Sequence, residues 1–224
     1  MTSVSGLDGR VALITGASGA LGSAAANVFA GAGATVCDCG SGSDGPPIDV
    51  TDPAQAVEAV DKAIADHGRL DILLNIVGTW APQPSVSEIG NETVEKLMAV
   101  NFTSVLNMSR AALPHMTANG WGRIVNVGAK QALKNGAGNS AYGAAKSAVI
   151  SLTEAIADES GSDGITCNAV VPSIIDTPAN RAAMPDSDFS GWVKPEHIAE
   201  VMAFLCTEAG GNINGAVLPV WNRA

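Results

Sequence analysis

Short apolar runs alternate with longer stretches of helical periodicity along this chain. The apolar runs cover residues 10–15, 34–39, 70–76, 123–127, 165–171 and 216–220. Runs of this length with little polar alternation are typical of parallel strands buried on both faces. Between them the pattern predicts helices at residues 19–32, 53–67, 93–117, 140–159 and 195–207, and a loop rich in Gly and Pro at residues 40–47.

Strands that alternate with helices predict right-handed crossovers and a parallel sheet. The expected fold class is therefore α/β, a Rossmann-type doubly wound parallel sheet with helices on both faces, which makes a three-layer sandwich. No repeat, linker or block of charge divides the 224 residues, so a single domain over residues 1–224 is predicted.

Composition excludes several classes of partner. The net charge is −10, and we expect no nucleic-acid partner because phosphate binding needs clustered Lys and Arg. No membrane partner is expected, because no run approaches the roughly 18 apolar residues of a membrane span. A basic and apolar secretory leader is absent from the start, and the four cysteines show no spacing typical of a metal site. These features predict a cytoplasmic protein without a metal.

The first predicted strand leads into a glycine-rich turn, TGASGALG at residues 15–22. Glycines allow a tight turn and let the backbone approach a pyrophosphate that lies at a helix N-terminus. An ordinary strand–helix connection can also contain glycine. The place of this turn at the first strand–helix junction of an alternating pattern predicts nucleotide binding.

Three later segments extend this prediction: DVTD at residues 49–52, NIVG at residues 75–78 and YGAAK at residues 142–146. Together, in this order and over nearly the whole chain, the four segments resemble the short-chain dehydrogenase/reductase family. The resemblance implies an NAD(P)-dependent oxidoreductase. It also implies which residues line the cofactor. On the pyrophosphate and nicotinamide side these are Gly16, Ser18, Ala20 and Leu21, and at the adenine they are Asp49 and Val50. Val77 would lie near the adenosine ribose beside Asn75 and Gly78, and the residues towards the nicotinamide are Pro172, Ile175, Thr177, Tyr142 and Lys146.

NAD(H) is favoured as the cofactor, with NADP(H) as the alternative. An acidic residue at the end of the second strand would accept a hydrogen bond from the ribose 2′-hydroxyl and repel a 2′-phosphate. By the resemblance that position is Gly40, and Asp38 lies two residues earlier. Ser18 stands where users of NADP often carry Lys or Arg, and no basic residue occurs between residues 11 and 61.

Tyr142 and Lys146 are four residues apart, so they share one face of a predicted helix. A phenol has an ordinary pKa of about 10. A nearby lysine ammonium, together with the positive charge of an oxidised nicotinamide, is expected to favour the phenolate and allow proton exchange near neutral pH. The alternative is a surface tyrosine beside a lysine, but Tyr142 is the only tyrosine of the chain. The resemblance adds Asn101, which would complete a water-linked proton relay. Its alternative is a buried amide that kinks the helix.

The chain departs from the family at a serine that donates a hydrogen bond to the substrate carbonyl. The matching position is Ala129, and loss of such a donor typically costs about 10²–10³ in rate. Ser140 is predicted to cap its helix and not to replace the serine, while Lys130 or Gln131 could reach the pocket. The protein is therefore inactive, or its substrate does not need the serine.

Dihydropteridine reductase-like members of the family lack this serine, and three segments resemble them: GTWA at residues 78–81, GAKQAL at residues 128–133 and a substrate flap at about 173–194. The resemblance implies Trp80, Ala129, Gln131 and Trp192 as substrate residues, with the indole of Trp80 against a flat ring. Core or lid packing is the alternative for both tryptophans. The leading hypothesis is hydride transfer to a small cyclic conjugated acceptor, with quinonoid dihydropteridine as the best single candidate.

Two other functions stay open. One is a carbonyl or alcohol oxidoreductase, similar to 3-oxoacyl or ketone reductases, that tolerates Ala129. The other is a catalytically silent nucleotide-binding protein, against which the retained Tyr142 and Lys146 argue. The expected partners are a small-molecule substrate and, from the resemblance, a second copy of the chain in a homodimer or homotetramer that pairs through the helices at residues 93–117 and 140–159.

Overall fold

Six parallel strands form one sheet in the computed structural model, which describes residues 4–39 and 48–222. The strands are β1 (Val11–Thr15), β2 (Thr35–Asp38), β3 (Ile72–Asn75), β4 (Gly122–Val127), β5 (Ile165–Pro172) and β6 (Val217–Val220), in the spatial order β2-β1-β3-β4-β5-β6. Every residue of β1, β3, β4 and β5 is buried, as their apolar runs predict. The predicted α/β class and doubly wound parallel sheet are confirmed.

Helices cover both faces of this sheet. The helices α1 (Ala20–Gly31) and α8 (Pro195–Cys206) pack on one face, and α2 (Pro53–His67), α4 (Ser104–Asn119) and α6 (Ser140–Ser160) pack on the other. Each face of the sheet forms a hydrophobic core with the helices that cover it, and side chains alternate between the two cores along a strand. Ile14 therefore packs in the core under α1 and α8, and Leu13 in the core under α2, α4 and α6. None of the helices in the described part of the chain is long and apolar enough to cross a membrane.

The prediction of one helix over residues 93–117 is wrong at its centre. The structure has α3 (Asn91–Met98), a π-helical turn (Ala99–Thr103) and then α4. The buried amide of Asn101 lies within the π-helical turn and bonds to the carbonyl of Leu97 and to the backbone of Thr79. A side chain that inserts into the helical hydrogen-bond pattern widens it locally, so the buried amide and the local distortion of the helix occur together. The proton relay through Asn101 stays a prediction.

Short helices that the periodicity does not predict lie at the carboxyl edge of the sheet. They are α5 (Lys130–Leu133) after β4 and α7 (Pro178–Ala183) after β5. Segments of four to six residues are too short to show helical periodicity. The breaker-rich loop predicted at residues 40–47 lies outside the described residues.

A chain of buried amides joins the centre of the sheet to α6. Asn75 at the end of β3 donates to Asn126 Oδ1 on β4 at 2.8 Å, and Asn126 Nδ2 donates to Thr153 Oγ1 on α6 at 2.9 Å. All three side chains are at most 3% exposed. Because buried polar groups are costly when unpaired, this chain fixes the position of α6 relative to both strands.

Replacement of Asn126 by alanine should therefore destabilise the fold. Asn126→Ala removes the acceptor of Asn75 and the donor to Thr153, and we expect a loss of about 2–4 kcal/mol in the free energy of unfolding. Urea unfolding measures it, with Asn119→Ala at the exposed end of α4 as the control. A loss no larger than that of the control would show that the amide chain is not needed for stability.

Candidate functional site

The carboxyl edge between β1 and β3 is where the strand order reverses, since the chain passes from β1 to β2 on one side and returns to β3 on the other. Such a point opens a crevice in which doubly wound sheets bind ligands. The hydroxyl of Thr15 holds the two strand ends together, because it accepts hydrogen bonds from the backbone N–H groups of Ile76 at 2.9 Å and Val77 at 3.1 Å.

The glycine-rich turn folds closely over this crevice. Gly16 has a φ of 71°, which strains any residue with a side chain. A Cβ at Gly22 would lie 2.6 Å from the Cα of Ala17, so α1 can begin this close to the turn only with glycine there. Gly19 is the N-cap of α1 and provides no side-chain cap. The first N–H groups of α1 are therefore available to an anionic group.

The predicted cofactor residues divide into exposed and buried ones. Gly16 and Val77 are partly exposed and Ser18, Ala20 and Gly78 exposed at the crevice. The side chains of Leu21 and Val50 are buried in the two cores, and that of Asn75 is taken up by Asn126 and Ser109. Of these three residues, only backbone atoms remain for a cofactor.

Asp49, which the resemblance implies at the adenine, is exposed, and its carboxylate accepts hydrogen bonds from the N–H and hydroxyl of Thr51 at 2.9 and 2.7 Å. Asp38 is the last residue of β2 and lies at the same edge of the sheet as Thr15. Gly40, the position that the resemblance indicates for ribose recognition, lies outside the described residues.

The segment after β5 covers the other side of the crevice. Thr177 caps α7 by accepting from the N–H of Asn180 at 3.1 Å, and Ile175 pairs with Val193 across the segment. Pro172, at the end of β5, is buried. A cleft of about 450 Å³ separates this segment from the start of α1; its lining residues are Ala20, Asp176, Thr177, Pro178, Arg181, Lys194, Pro195 and Glu196.

Tyr142 and Lys146 occupy the first two turns of α6, beside the crevice. Lys146 is 3% exposed, and its Nζ donates to the carbonyl of Val127 at the end of β4 at 2.8 Å. A Cβ added to Gly78 would lie 3.1 Å from Nζ and 3.0 Å from Asn101 Oδ1. Gly78, Asn101 and Lys146 are thus brought together by the fold. Asn101 itself bonds to both backbone groups of Thr79.

Burial shifts the two pKa values in opposite directions. It raises the pKa of Tyr142 to about 12 and lowers that of Lys146 to about 8. Removal from water disfavours the charged form of each group. In the folded chain without a nucleotide, desolvation is therefore the cause of both shifts. The expectation that Lys146 and an oxidised nicotinamide together favour the phenolate stays a prediction.

The substrate residues inferred from the sequence lie in different surroundings. Trp80 is 54% exposed, and its indole N–H donates to Asn139 Oδ1 at 2.8 Å. Ala129 is buried at the N-cap of α5, and Gln131 is partly exposed on that helix. Trp192 is 5% exposed, with its ring centroid 4.7 Å from that of Phe189. The structure thus places Trp192 in the packing of the flap, not at a substrate surface.

Gln83 is a residue of the site that sequence reasoning misses. It follows β3 in a loop without periodicity, and its Oε1 accepts from the N–H of Ala141 at 2.8 Å. The helix cap assigned to Ser140 is wrong, because Asn139 is the N-cap residue and the acceptor comes from Gln83. No local pattern marks this contact, since 58 residues separate the partners.

Comparisons with known proteins all find similarity to dehydrogenases and reductases. A family model described as enoyl-(acyl carrier protein) reductase matches residues 39–221. The cis-4-hydroxycyclohexanecarboxylate dehydrogenase of Sinomonas cyclohexanicum is 33% identical over 94% of each chain, and the 3-oxoacyl-[acyl-carrier-protein] reductase of Vibrio cholerae is 33% identical over 96% of each. Ligand-free aldohexose dehydrogenase from Thermoplasma acidophilum superposes with a TM-score of 0.86 at 29% identity, over 96% of this chain and 93% of that one.

The burial of Lys146 predicts a pH-dependent stability. Between pH 8 and 10.5 the unfolded chain holds the lysine proton and the folded chain does not, so the wild type gains stability as pH rises. Without nucleotide, Lys146→Met should be more stable than the wild type at neutral pH by about 2 kcal/mol, a gap that closes towards pH 10.5. Urea unfolding at both pH values measures it. The exposed Lys134→Met is the control, and a gap independent of pH would contradict the prediction.

Proposed function

The chain belongs to the short-chain dehydrogenase/reductase family of oxidoreductases, and on that premise we propose that it interconverts a ketone and a secondary alcohol on a small, largely apolar molecule with a nicotinamide cofactor. The observation that carries the proposal is the position of Lys146, one helical turn after Tyr142: its Nζ lies at the carboxyl end of β4 and beside Gly78 of the loop after β3. Because residue 78 has no side chain, Lys146 Nζ and Asn101 Oδ1 come close to the backbone of the loop after β3.

The glycine-rich turn fits a dinucleotide. The N–H groups at the start of α1 have no side-chain cap, and Gly16 and Gly22 allow the backbone to come close. Helix N-termini of this kind bind phosphate groups. Thr177 and Ala20, on opposite walls of the cleft, would hold the cofactor from the flap and the helix. When bound, the nicotinamide supplies or accepts the hydride.

The protein contributes proton transfer and orientation. The phenol of Tyr142, whose pKa burial raises to about 12, is protonated at neutral pH, the form that donates a proton to a carbonyl oxygen. Lys146, held by the carbonyl of Val127, orients the ribose side of the cofactor and lies close to Asn101 for proton supply. NADH is the favoured cofactor, since Asp38 lies at the carboxyl end of β2 and no Lys or Arg occurs between residues 11 and 61.

The substrate proposal departs from the leading sequence hypothesis. The similar proteins named above are dehydrogenases and an oxoacyl reductase, which fit the carbonyl or alcohol alternative better than quinonoid dihydropteridine. Exposed apolar side chains follow three neighbouring strands at the same edge: Trp80 after β3, Leu133 after β4 and Ile174 after β5. Such a rim favours a substrate with an apolar body.

The first test is turnover with and without the phenol. We expect the wild type to oxidise NADH with a cyclic ketone or a 3-oxoacyl thioester, and Tyr142→Phe to lower kcat by about 10²-fold or more, because the proton donor is lost. Nucleotide binding, followed by NADH fluorescence, should change little. Turnover of quinonoid dihydropterin alone, or of no acceptor on the panel, would contradict the proposal.

Restoring the serine tests the carbonyl chemistry directly. Ala129→Ser adds a hydrogen-bond donor for a developing oxyanion, so kcat/KM for a ketone should rise by about 10-fold or more. Ala132→Ser, on the same short helix, is the matched control and should show no gain. An unchanged or lower ketone rate in Ala129→Ser would indicate a reaction that builds no oxyanion at this position.

A further inference from the structure

The side-chain amide of Gln83 lies against the first turn of α6. Its Oε1 accepts from the N–H of Ala141 at 2.8 Å and from that of Tyr142 at 3.4 Å, and lies 3.5 Å from the hydroxyl of Ser140. Gln83 is only 9% exposed although it belongs to a surface loop. A buried glutamine that faces the beginning of a helix occupies the place of a helix cap.

The residues of α6 do not provide this cap themselves. The N-cap residue Asn139 makes no side-chain cap; its Oδ1 accepts from the indole of Trp80, and its Nδ2 donates to the carbonyl of Ala137. The start of α6 is thus held by the loop that follows β3, through Gln83 and Trp80. The same loop begins with Gly78, next to Lys146 and Asn101.

We propose that Gln83 is a positioning residue that fixes the phenol of Tyr142 relative to the nicotinamide, an inference that rests on the proposed function. Tyr142 is the third residue of α6, so its side chain moves with the first turn. Lys146, one turn later, is fixed independently by Val127. Loss of the amide oxygen lets the first turn fray and displaces Tyr142 while Lys146 stays in place.

The only tyrosine of the chain gives a direct readout. The ultraviolet phenolate band of the nucleotide-free protein reports the ionisation of Tyr142 alone and needs no turnover. Three variants are compared with the wild type: Gln83→Met, which removes the acceptor at similar size; Gln83→Glu, which keeps an acceptor oxygen; and Ser85→Ala, a control on the same loop whose hydroxyl contacts Ser87 and Glu88.

At about pH 11 a phenol with a pKa of about 12 is about one-tenth ionised, and one near its ordinary value is about nine-tenths ionised. We expect the wild type, Gln83→Glu and Ser85→Ala to show the small signal and Gln83→Met the large one, while circular dichroism at the same pH shows all four folded. An identical small signal in folded Gln83→Met overturns the proposal. If Gln83→Met is unfolded at about pH 11, the phenolate signals of the four proteins are compared at a lower pH at which all are folded. The proposal then requires that Gln83→Met still gives the largest signal.

Kinetics separate this proposal from the proposed function. With an active wild type, Gln83→Met should lower kcat by about 10-fold with little change in the affinity for NADH, and Gln83→Glu should restore kcat, because displacement of a proton donor affects the chemical step. An equal kcat in wild type and Gln83→Met overturns the role of Gln83. A wild type without turnover overturns the proposed function, whereas the titration still decides whether Gln83 fixes Tyr142.

Discussion

The buried hydrogen bonds of Asn126 are the interaction on which the rest of the structure depends. This one side chain binds Asn75 on β3 and Thr153 on α6, and its own strand β4 lies between them. A polar group inside a core is stabilising only when its partners are in place, so it specifies one register of strand against helix. One strand position further along, Val127 accepts from Lys146. Two bonds thus hold α6 against β4, one in its middle and one near its start.

The crevice depends equally on positions that lack a side chain. Gly22 lets α1 begin against the turn of Gly16, and Gly78 lets Asn101 and Lys146 come close to the backbone of the loop after β3. In both places a Cβ would meet backbone or functional atoms. Glycine is therefore required at these two positions because there is no space for a side chain, more than because its backbone is flexible. At the glycine-rich turn the absence of a side chain allows backbone to approach backbone, and at Gly78 it allows two polar side chains to approach the backbone. The two places are joined by Thr15, which binds the loop after β3.

Electrostatics at the site are governed by desolvation. Burial makes Lys146 easier to deprotonate and Tyr142 harder, so the folded chain alone holds both groups closer to neutrality than they would be in water. A charged ligand that binds in the crevice therefore meets a phenol and an amine whose ionised forms, phenolate and ammonium, burial has already made less stable. The hydrogen bonds of Lys146 with Val127, and of Asn101 with Thr79, hold these side chains in position.

The sequence by itself determined the strand–helix alternation and the parallel sheet, which follow from periodicity, and the shared helix face of Tyr142 and Lys146, which are four positions apart. The link between these two residues and the glycine-rich turn came from the resemblance to the family. The sequence did not determine the break at Asn101, the buried position of Trp192 or the cap from Gln83. Those depend on partners such as Thr79, Phe189 and Ala141, which only the folded chain brings into contact. The pKa values of Tyr142 and Lys146 are also among the features that only the tertiary structure decides, since spacing along a helix predicts proximity but not burial. Burial is a property of the tertiary structure, and in this site it sets the direction in which both pKa values move.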